Sequence, residues 1–418
     1  MNMLVFEDKW ETLTPLTYLR PVFDLRCGHL SLLERIVRKV SGHRVGLLVR
    51  DYLKDAVAVR TGLPVNDASF FTENLAVVNG RWLIGYDETL NLSDEAVYVS
   101  GDTVVYAVLS AASARRARSA DPVSLASLLA GVQPRREIRA TVIEYPWHLV
   151  HHNPEMLNRD FAAAGKAGIE GELSPQAAVR GPKERLYIEE GAEVQPFAVL
   201  DTTAGPIWIS RGAKVFPFSR VEGPAYLGED VQIMPGASIR EGNSFGPVCR
   251  VGGEVEESIF HGYGNKYHDG FIGHSYICEF VNLGALTTNS DLKNDYSAVS
   301  VPVNGQMVDT GALKVGSFIG DHTKTSIGVL LNTGSCAGVA CNITAAGILP
   351  KYFPSFVWYV AGRYLKGFGF ASTMETVRAA MARRGRVCSP EEEAVLRTVY
   401  EMTARERQEY VRKSMAKR

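Results

Sequence analysis

The chain has 418 residues, a formal net charge of −1 at pH 7 and 46% hydrophobic residues. This length is too great for one compact core, so two or three domains are expected. The balanced charge excludes the basic surface typical of nucleic-acid-binding and polybasic membrane-binding proteins. The sequence also holds no apolar run of the roughly 20 residues that cross a bilayer, so we expect neither nucleic-acid nor membrane partners.

The cysteines and the first residues favour a cytoplasmic protein. The six cysteines form no C-x-x-C pair and no disulfide-dense pattern, as expected in a reducing compartment. The acidic pair Glu7-Asp8 comes too early for a secretory signal peptide. We therefore expect a cytoplasmic location.

Strand-like and helix-like segments alternate over the first third of the chain, which is typical of an α/β sheet. Asn79-Gly80 lies between the apolar runs 76–78 and 82–84 and predicts a hairpin there. Gly101-Asp102 joins two further β-rich runs. A connecting helix is expected near residues 146–161.

The first chemical signal in the α/β part is the run Leu13-Thr14-Pro15-Leu16-Thr17-Tyr18-Leu19-Arg20-Pro21-Val22. It resembles the L-x-P-L-T-x-x-x-P-K signature of sugar-1-phosphate nucleotidyltransferases, and Gly101-Asp102 resembles the Gly-Asp pair whose aspartate holds the catalytic Mg²⁺ of that family. A carboxylate at the end of a strand is a suitable hard-oxygen ligand for this metal, which offsets charge at the attacked phosphate. The resemblance implies that Asp102 is a metal ligand and that a nucleoside triphosphate and a sugar phosphate are substrates.

The same segment departs from the family pattern in three ways. Glu7-Asp8-Lys9-Trp10 stands where the family has a Gly-rich phosphate loop, and Val22 replaces the lysine. The domain is also shorter than is usual for the family. Arg20 and Arg26 are candidate substitutes, because a guanidinium pairs well with phosphate oxygens. An active nucleotidyltransferase and a degenerate nucleotide-sugar-binding domain both remain open.

A repeat of six residues dominates the middle of the chain. The large apolar positions of its longest regular block are Ile209, Val215, Val221, Leu227, Ile233, Ile239 and Phe245. A small residue usually stands four positions later. A period of six fits neither a helix nor a flat strand, and it predicts a parallel β-helix with three hexads to a turn.

The hexads are interrupted between Phe245 and Ile272, where glycine, asparagine, lysine and histidine replace the apolar residues. The run 265–291 resembles the active-site coils of the bifunctional N-acetylglucosamine-1-phosphate uridyltransferase/glucosamine-1-phosphate acetyltransferase family, and the whole chain resembles a divergent branch of that group. The resemblance implies a Rossmann-like α/β nucleotidyltransferase domain, a left-handed parallel β-helix (hexapeptide repeat) and C-terminal helices. It also implies acetyl-CoA as co-substrate and a homotrimer.

The resemblance assigns roles to five residues of this run. His268 matches the catalytic general base, Phe271 a sugar-contacting tyrosine, Asn282 a sugar-binding asparagine, Ala285 a backbone contact to the acyl-CoA thioester, and Asn289 a second active-site asparagine. A histidine can take the proton of an attacking amine or hydroxyl near pH 7. Backbone N–H groups of the coil can stabilise the oxyanion. The alternative for each of these residues is a structural position in the coil or an exposed loop.

The phosphate-binding residues of the family are matched only in part. Arg240 resembles the arginine that binds the sugar phosphate, but the partner lysine of the family aligns with the acidic pair Glu256-Glu257. Lys266 and Lys293 are candidate substitutes, and an acidic residue facing a phosphate would repel it. The sequence thus leaves the acceptor sugar, the nucleobase and the acyl group open.

The remaining segments complete the expected organisation. The hexads resume from Leu313, after a loop over 296–311, and 320–325 is either a contact to the acyl donor or a polar outer face. Helices over 374–384 and 393–416 are expected to form a solvated tail. We therefore expect an α/β domain over 1–165, a β-helix over 166–350 and a helical tail over 351–418.

The sequence favours a sugar-1-phosphate nucleotidyltransferase and acyl-CoA-dependent acetyltransferase of sugar-nucleotide metabolism. Two alternatives are an acetyltransferase with an inert front domain and a non-catalytic trimeric scaffold.

Overall fold

The computed structural model describes residues 1–345 and 347–416, which form an α/β domain, a β-solenoid and a group of C-terminal helices. Within these residues, no helix is both long enough and apolar enough to span a membrane.

The α/β domain is built on a six-stranded sheet and five helices. Its strands are β1 Asn2–Phe6, β2 Arg26–Cys27, β3 Leu30–Ser31, β4 Arg44–Leu48, β5 Leu75–Asn79, β6 Ala96–Ser100, β7 Thr103–Leu109 and β8 Arg135–Glu137. Its helices are α1 Leu32–Lys39, α2 Lys54–Thr61, α3 Ala111–Arg116, α4 Pro122–Ala130 and α5 Pro146–Ala164. The sheet has the order β4-β1-β5-β7-β6-β8, while β2 and β3 form a separate hairpin. β1 is parallel to β4 and β5, and all five of its residues are buried.

Local signals explain the start of α1 and the two strands around Gly101-Asp102. Ser31 and Glu34 form a capping box at the start of α1, which satisfies two backbone donors. The two β-rich runs on either side of Gly101-Asp102 are β6 and β7, which pair as an antiparallel hairpin. The hairpin expected at Asn79-Gly80 is wrong, because the Asn79 amide donates to the carbonyl of Val104 and binds β5 to β7 instead.

The solenoid has three rows of short parallel strands, and its first strand follows α5 closely. Row A comprises Gly168–Ile169, Leu186–Ile188, Ile207–Ile209, Ala225–Leu227, Asn243–Phe245, Ile259–Phe260, Tyr276–Ile277, Phe318–Ile319, Cys336–Ala337 and Tyr352–Phe353. Row B comprises Glu172–Leu173, Glu193–Val194, Lys214–Val215, Gln232–Ile233, Arg250–Val251, Asn265–Lys266, Lys324–Thr325, Asn342–Thr344 and Trp358–Val360. Row C comprises Ala178–Arg180, Val199–Asp201, Arg220–Glu222, Ser238–Ile239, Glu254–Glu256, Phe271–Gly273, Thr288–Asn289 and Leu330–Leu331. The predicted β-helix is confirmed, and the seven hexad positions of its regular block are all 0% exposed.

Two segments after the interruption differ from expectation. The loop over 296–311 contains a β-hairpin of Ser300–Val303 and Gln306–Asp309. Leu313 is 52% exposed, so it is not an inward position of the coil. The rows also continue past residue 350 to Val360, where the antiparallel strand Arg363–Leu365 covers the last edge of row B.

The C-terminal helices are not a solvated tail. They are α6 Phe370–Ala382, α7 Pro390–Met402 and α8 Ala404–Ala416. Met374, Val377 and Met381 bury one face of α6, and α7 packs against α2 of the α/β domain. The spacing of three and four between these apolar residues is that of an amphipathic helix with a packed face.

The α/β domain docks on the outside of row A. Asn153 of α5 accepts a hydrogen bond from the backbone of Gly28 and donates one to the carbonyl of Gly242. Residues of the α/β domain, the solenoid and α6–α7 share one hydrophobic cluster. The position of the front domain on the coil is thus fixed by packing.

Candidate functional site

The predicted acyl-transfer residues lie on two successive coils of the solenoid. Asn265 of row B lies beside Asn282 of the next coil, and Leu286 donates its N–H to the carbonyl of Asp269. His268 and Ala285, each three positions after that pair, therefore occupy equivalent corners of adjacent coils. The structure brings together these two predicted residues.

Lys266 holds the corner that carries His268. Its side chain is buried at an inward position that Val251 occupies in the preceding coil. The Lys266 ammonium donates to the carbonyls of Gly252 at 3.0 Å and His268 at 2.7 Å. Burial lowers the pKa of Lys266 to about 8. This geometry gives Lys266 a positioning role in place of the expected substrate contact.

His268 itself is exposed at this corner. Its ring lies 5.1 Å from the ring of Tyr267 in an edge-on arrangement. An exposed imidazole on a backbone that is fixed from the inside is accessible to a substrate and is also held in place. These are the requirements for a general base.

Asn282 is oriented by a chain of hydrogen bonds that begins on the C-terminal helices. Arg384, just after α6, donates to Asn265 Oδ1 at 3.0 Å, and Asn265 Nδ2 donates to Asn282 Oδ1 at 2.8 Å. The Asn282 NH₂ group is thereby left as a donor on the outer face of row B. The sequence did not predict a role for Arg384 at this site, because the residues around it do not show which surface it contacts.

Phe271 and Asn289 lie on row C. Phe271 is half-buried, and its backbone N–H donates to Thr288 Oγ1 at 3.3 Å. Asn289 is buried, with its amide bonded to the N–H and the carbonyl of Gly273 at 2.8 and 3.0 Å. Because both ends of this amide are used within the coil, its catalytic role stays a prediction and its observed role is to join two coils. Asn289 also lines a cleft of about 570 Å³ with Lys293.

Arg240 follows the row C strand Ser238–Ile239, whereas His268 precedes the row C strand Phe271–Gly273 two coils later, so the two residues lie at opposite ends of row C. Arg240 Nη1 is 2.6 Å from Glu256 Oε2, and Lys314 Nζ is 3.0 Å from Glu256 Oε1. The acidic position that the sequence places against a phosphate is thus paired with two cations. A phosphate at Arg240 would have to displace this carboxylate.

A second charged group, centred on His274, adjoins Arg240. No role was predicted for His274 from the sequence. His274 lies between Asp291 Oδ2 at 2.8 Å and Glu257 Oε2 at 3.3 Å. Burial opposes the imidazolium, but the hydrogen bonds that it donates to Asp291 and Glu257 outweigh burial and raise the pKa of His274 to about 9. Potential ligand atoms of Glu256, Glu257 and His274 lie within 4.8 Å of one another. Both ring nitrogens of His274 face a carboxylate oxygen, so His274, Asp291 and Glu257 form an ion-pair network when the imidazole is protonated.

The predicted nucleotidyl-transfer residues are placed less favourably for catalysis than the acyl-transfer residues. Asp102 is exposed at the β6–β7 turn, on the edge of the sheet where β1 and β5 also end. It is not part of any group of three potential metal ligands within residues 1–345 and 347–416. Asp102 would supply Mg²⁺ with one carboxylate oxygen, and substrate phosphates would have to supply others.

Ion pairs hold the segment Glu7-Asp8-Lys9-Trp10, which stands in place of the Gly-rich loop. Glu7 is fully buried and accepts hydrogen bonds from the backbone and guanidinium of Arg50, both at 2.8 Å. Asp8 pairs with Arg81 at 2.6 Å. These carboxylates occupy the end of β1, where a phosphate loop would require free N–H donors.

The two arginines expected at the phosphates also have partners. Arg20 is 1% exposed and lies 2.6 Å from Asp321, 3.1 Å from Glu279 and 3.4 Å from Asp24. Three carboxylates would repel a phosphate, so Arg20 joins the domains instead of binding substrate as expected. Arg26 donates its backbone N–H to the Tyr276 hydroxyl at 2.9 Å, and its guanidinium donates to the carbonyl of His29.

Residues 3–167 match the sugar nucleotidyl transferase family. A bifunctional sugar-1-phosphate nucleotidylyltransferase/acetyltransferase from Sulfurisphaera tokodaii is 27% identical over 225 residues, which cover 52% of this chain and 50% of that protein. The bifunctional protein GlmU of Thermus thermophilus is 32% identical over 128 residues, which cover 30% of this chain and 26% of GlmU. This chain thus spans about half the length of the first relative and a quarter of the second.

The solved structures that match have lower sequence identity than these relatives. The UDP-N-acetylglucosamine acyltransferase of Francisella novicida matches with 18% identity and a TM-score of 0.24, covering 55% of this chain and 76% of that one.

Proposed function

Because residues 3–167 match the sugar nucleotidyl transferase family over the whole α/β domain, and the coils behind it carry an exposed histidine on a fixed corner, we propose a bifunctional sugar-nucleotide enzyme. The front domain transfers a nucleotidyl group to a sugar 1-phosphate, and the solenoid transfers an acetyl group from acetyl-CoA. The observation that carries the proposal is the placement of His268 and Ala285 on equivalent corners of adjacent coils. The proposed domains are an α/β domain over 1–165, a β-solenoid that begins at 166 and whose rows extend to Val360, and the C-terminal helices α6–α8.

In the acyl-transfer half, His268 is the general base. An amine or hydroxyl of the sugar attacks the thioester carbonyl and His268 takes its proton. The new amide or ester bond forms as the C–S bond breaks, and the proton passes from His268 to the leaving coenzyme A thiolate. Asn282 donates a hydrogen bond to the sugar, and Ala285 offers its backbone to the acyl donor. Lys266 acts on this step only through the position of His268, since its ammonium bonds the His268 carbonyl.

In the nucleotidyl-transfer half, Asp102 holds Mg²⁺, which offsets charge on the triphosphate when it is bound. The sugar phosphate attacks the α-phosphate, and pyrophosphate leaves. Arg26 is the remaining candidate for a phosphate contact, because the guanidinium of Arg20 is enclosed by carboxylates. We further propose a cytoplasmic homotrimer, in which neighbouring coils form walls of the acyl-transfer site.

One experiment with two readouts tests both halves. Wild-type protein with a nucleoside triphosphate, Mg²⁺ and a sugar 1-phosphate should release pyrophosphate, and with acetyl-CoA and an amino or hydroxy sugar phosphate it should release thiol. Asp102→Ala should reduce only the first activity, and His268→Ala only the second, each by roughly 100-fold or more.

Each variant serves as the folding control for the other, because both residues are exposed and lie in different domains. Thiol release that survives His268→Ala undiminished would remove His268 as the base. Failure of wild type to release pyrophosphate with any triphosphate and sugar phosphate would leave acyl transfer alone, as the buried Glu7–Arg50 pair would explain.

A further inference from the structure

A cleft of about 270 Å³ lies where the end of α6 crosses the outer face of row B. We refer to it as the α6 cleft. Its walls carry the polar and charged side chains of Asn265, Asn282, Lys324, Arg383 and Arg384, together with the aromatic rings of Tyr263 and Phe280. The two rings stack with centroids 4.8 Å apart and form one smooth wall.

The charges of the α6 cleft are all of one sign. Lys324, Arg383 and Arg384 are cations, and none of the described residues that line the cleft carries a carboxylate. The buried arginines Arg20 and Arg35, in contrast, each face a carboxylate, Arg20 at Asp321 and Arg35 at Asp160. Three cations that share a cleft without an anion repel one another, so the protein alone leaves this charge uncompensated.

The two less exposed cations show the same imbalance in their bonding. Lys324 Nζ donates to the carbonyl of His322 at 3.1 Å and makes no ion pair within the described parts of the chain. Burial lowers the pKa of Lys324 to about 8. Arg384 Nε is buried without an acceptor. Burial first, and then the nearby charges of Arg250 and Arg383, lower the pKa of Arg384.

We propose that the α6 cleft is a binding site for a phosphorylated small molecule. Arginine forks and a lysine ammonium are the usual donors to phosphate oxygens, and a dianion would neutralise the shared charge. The Asn282 NH₂ group, set by the Arg384–Asn265–Asn282 chain, adds a neutral donor beside the cations. The stacked aromatic wall suits the apolar face of a sugar or a base attached to the phosphate.

The proposed phosphate site in the α6 cleft rests on the charges of the cleft and does not depend on the proposed reactions. If those reactions occur, two phosphorylated ligands are available, namely the sugar phosphate and coenzyme A. Both present phosphate oxygens, so competition decides between them.

Inorganic pyrophosphate is the probe for the test, titrated by calorimetry into the full-length protein at low and high salt. Wild type should bind it, with affinity that falls as salt rises. Arg384→Gln and Lys324→Met should each weaken binding by roughly 10-fold or more, because each removes a charged hydrogen-bond donor. Arg378→Gln is the matched control, since Arg378 lies on α6 near the cleft residues in sequence but pairs with Glu393 at 2.5 Å outside the cleft.

Arg383→Gln gives a variant whose folding is not in question, because Arg383 is exposed. It too should weaken pyrophosphate binding while the melting temperature without ligand stays unchanged. No binding by wild type at millimolar pyrophosphate, or equal binding by all four variants, would overturn the proposal.

Competition then identifies the source of the phosphate. Displacement of pyrophosphate by a sugar 1-phosphate or by coenzyme A, lost in Arg384→Gln, would support the site and name its ligand. Pyrophosphate binding that neither compound displaces would show an adventitious anion only and would overturn the assignment to a phosphorylated metabolite.

Discussion

Charged side chains at one corner of row C form a network of ion pairs, and His274 shows its effect on stability. Its carboxylate partners raise its pKa to about 9 in the folded protein, compared with an ordinary value of about 6.5. The folded state therefore binds a proton that the unfolded state has lost between these two values. The stabilisation from His274 is complete below about pH 6.5 and disappears as the pH rises through 9.

We predict that His274→Gln destabilises the protein most at low pH. The difference from wild type in the free energy of unfolding should shrink by roughly 3 kcal/mol between pH 6 and pH 10. Urea denaturation at a series of pH values measures it. His268→Gln, at an exposed position, should show a small difference at every pH. A His274→Gln difference that does not change with pH would contradict this account of the pair network.

The sequence showed which residues are charged and near a predicted site, but it did not show which way their side chains point. Lys266 and Arg20 were both recognised as cations near predicted sites, but whether a side chain points inward or outward depends on coils and domains far along the chain. Lys266 points into the coil towards Gly252, and Arg20 meets a carboxylate 301 positions away. No local pattern carries this information.

At the scale of elements, the solenoid was predictable because its signal is local and repeated. Each hexad places one large residue inward, so spacing alone identified the buried column from Ile209 to Phe245. The C-terminal helices were also visible, but their amphipathic spacing does not name the surface that they cover. The sequence therefore missed α6 as a wall of the α6 cleft and divided α7 and α8 incorrectly, since one helix was expected over 393–416.

The hexad column leads to a stability prediction with an internal control. Ile233 is 0% exposed in the middle of the regular block, whereas Ile327 is 74% exposed on a later coil. Ile233→Ala should cost about 2–5 kcal/mol of stability through lost burial and a cavity. Ile327→Ala should change stability by no more than about 0.5 kcal/mol. Equal costs at the two positions in chemical denaturation would show that the hexads do not determine coil stability.

At the scale of the whole molecule, the α/β domain and the solenoid are joined by a buried charge pair. Arg20 and Asp321 are 1% exposed each and bond through both guanidinium nitrogens at 2.6 and 3.3 Å. Burial works against the Arg20 charge, but Asp321 and Glu279 hold the pKa of Arg20 above its usual range. The α/β domain supplies Arg20 and the solenoid supplies Asp321, so this ion pair forms only when the two domains are docked.

We predict that Arg20→Met destabilises the protein by about 3–5 kcal/mol, because it leaves Asp321 buried without its cation. Thermal unfolding followed at several wavelengths measures the loss and shows whether the domains now unfold separately. Arg180→Met is the surface control, since Arg180 is 69% exposed and its carboxylate partner lies 3.7 Å away. That variant should lose less than about 1 kcal/mol. An Arg20→Met protein as stable as the control would show that apolar packing alone joins the domains.

The Arg20–Asp321 contact also has a consequence in time. A ribosome that adds about 5–20 residues per second needs roughly 15–60 s to pass from codon 20 to codon 321. During this interval the nascent front domain carries an arginine whose main carboxylate partner has not yet been synthesised. The Arg20–Asp321 pair can therefore form only after the coil that carries Asp321 has been synthesised. Until then Arg20 of the front domain lacks this partner.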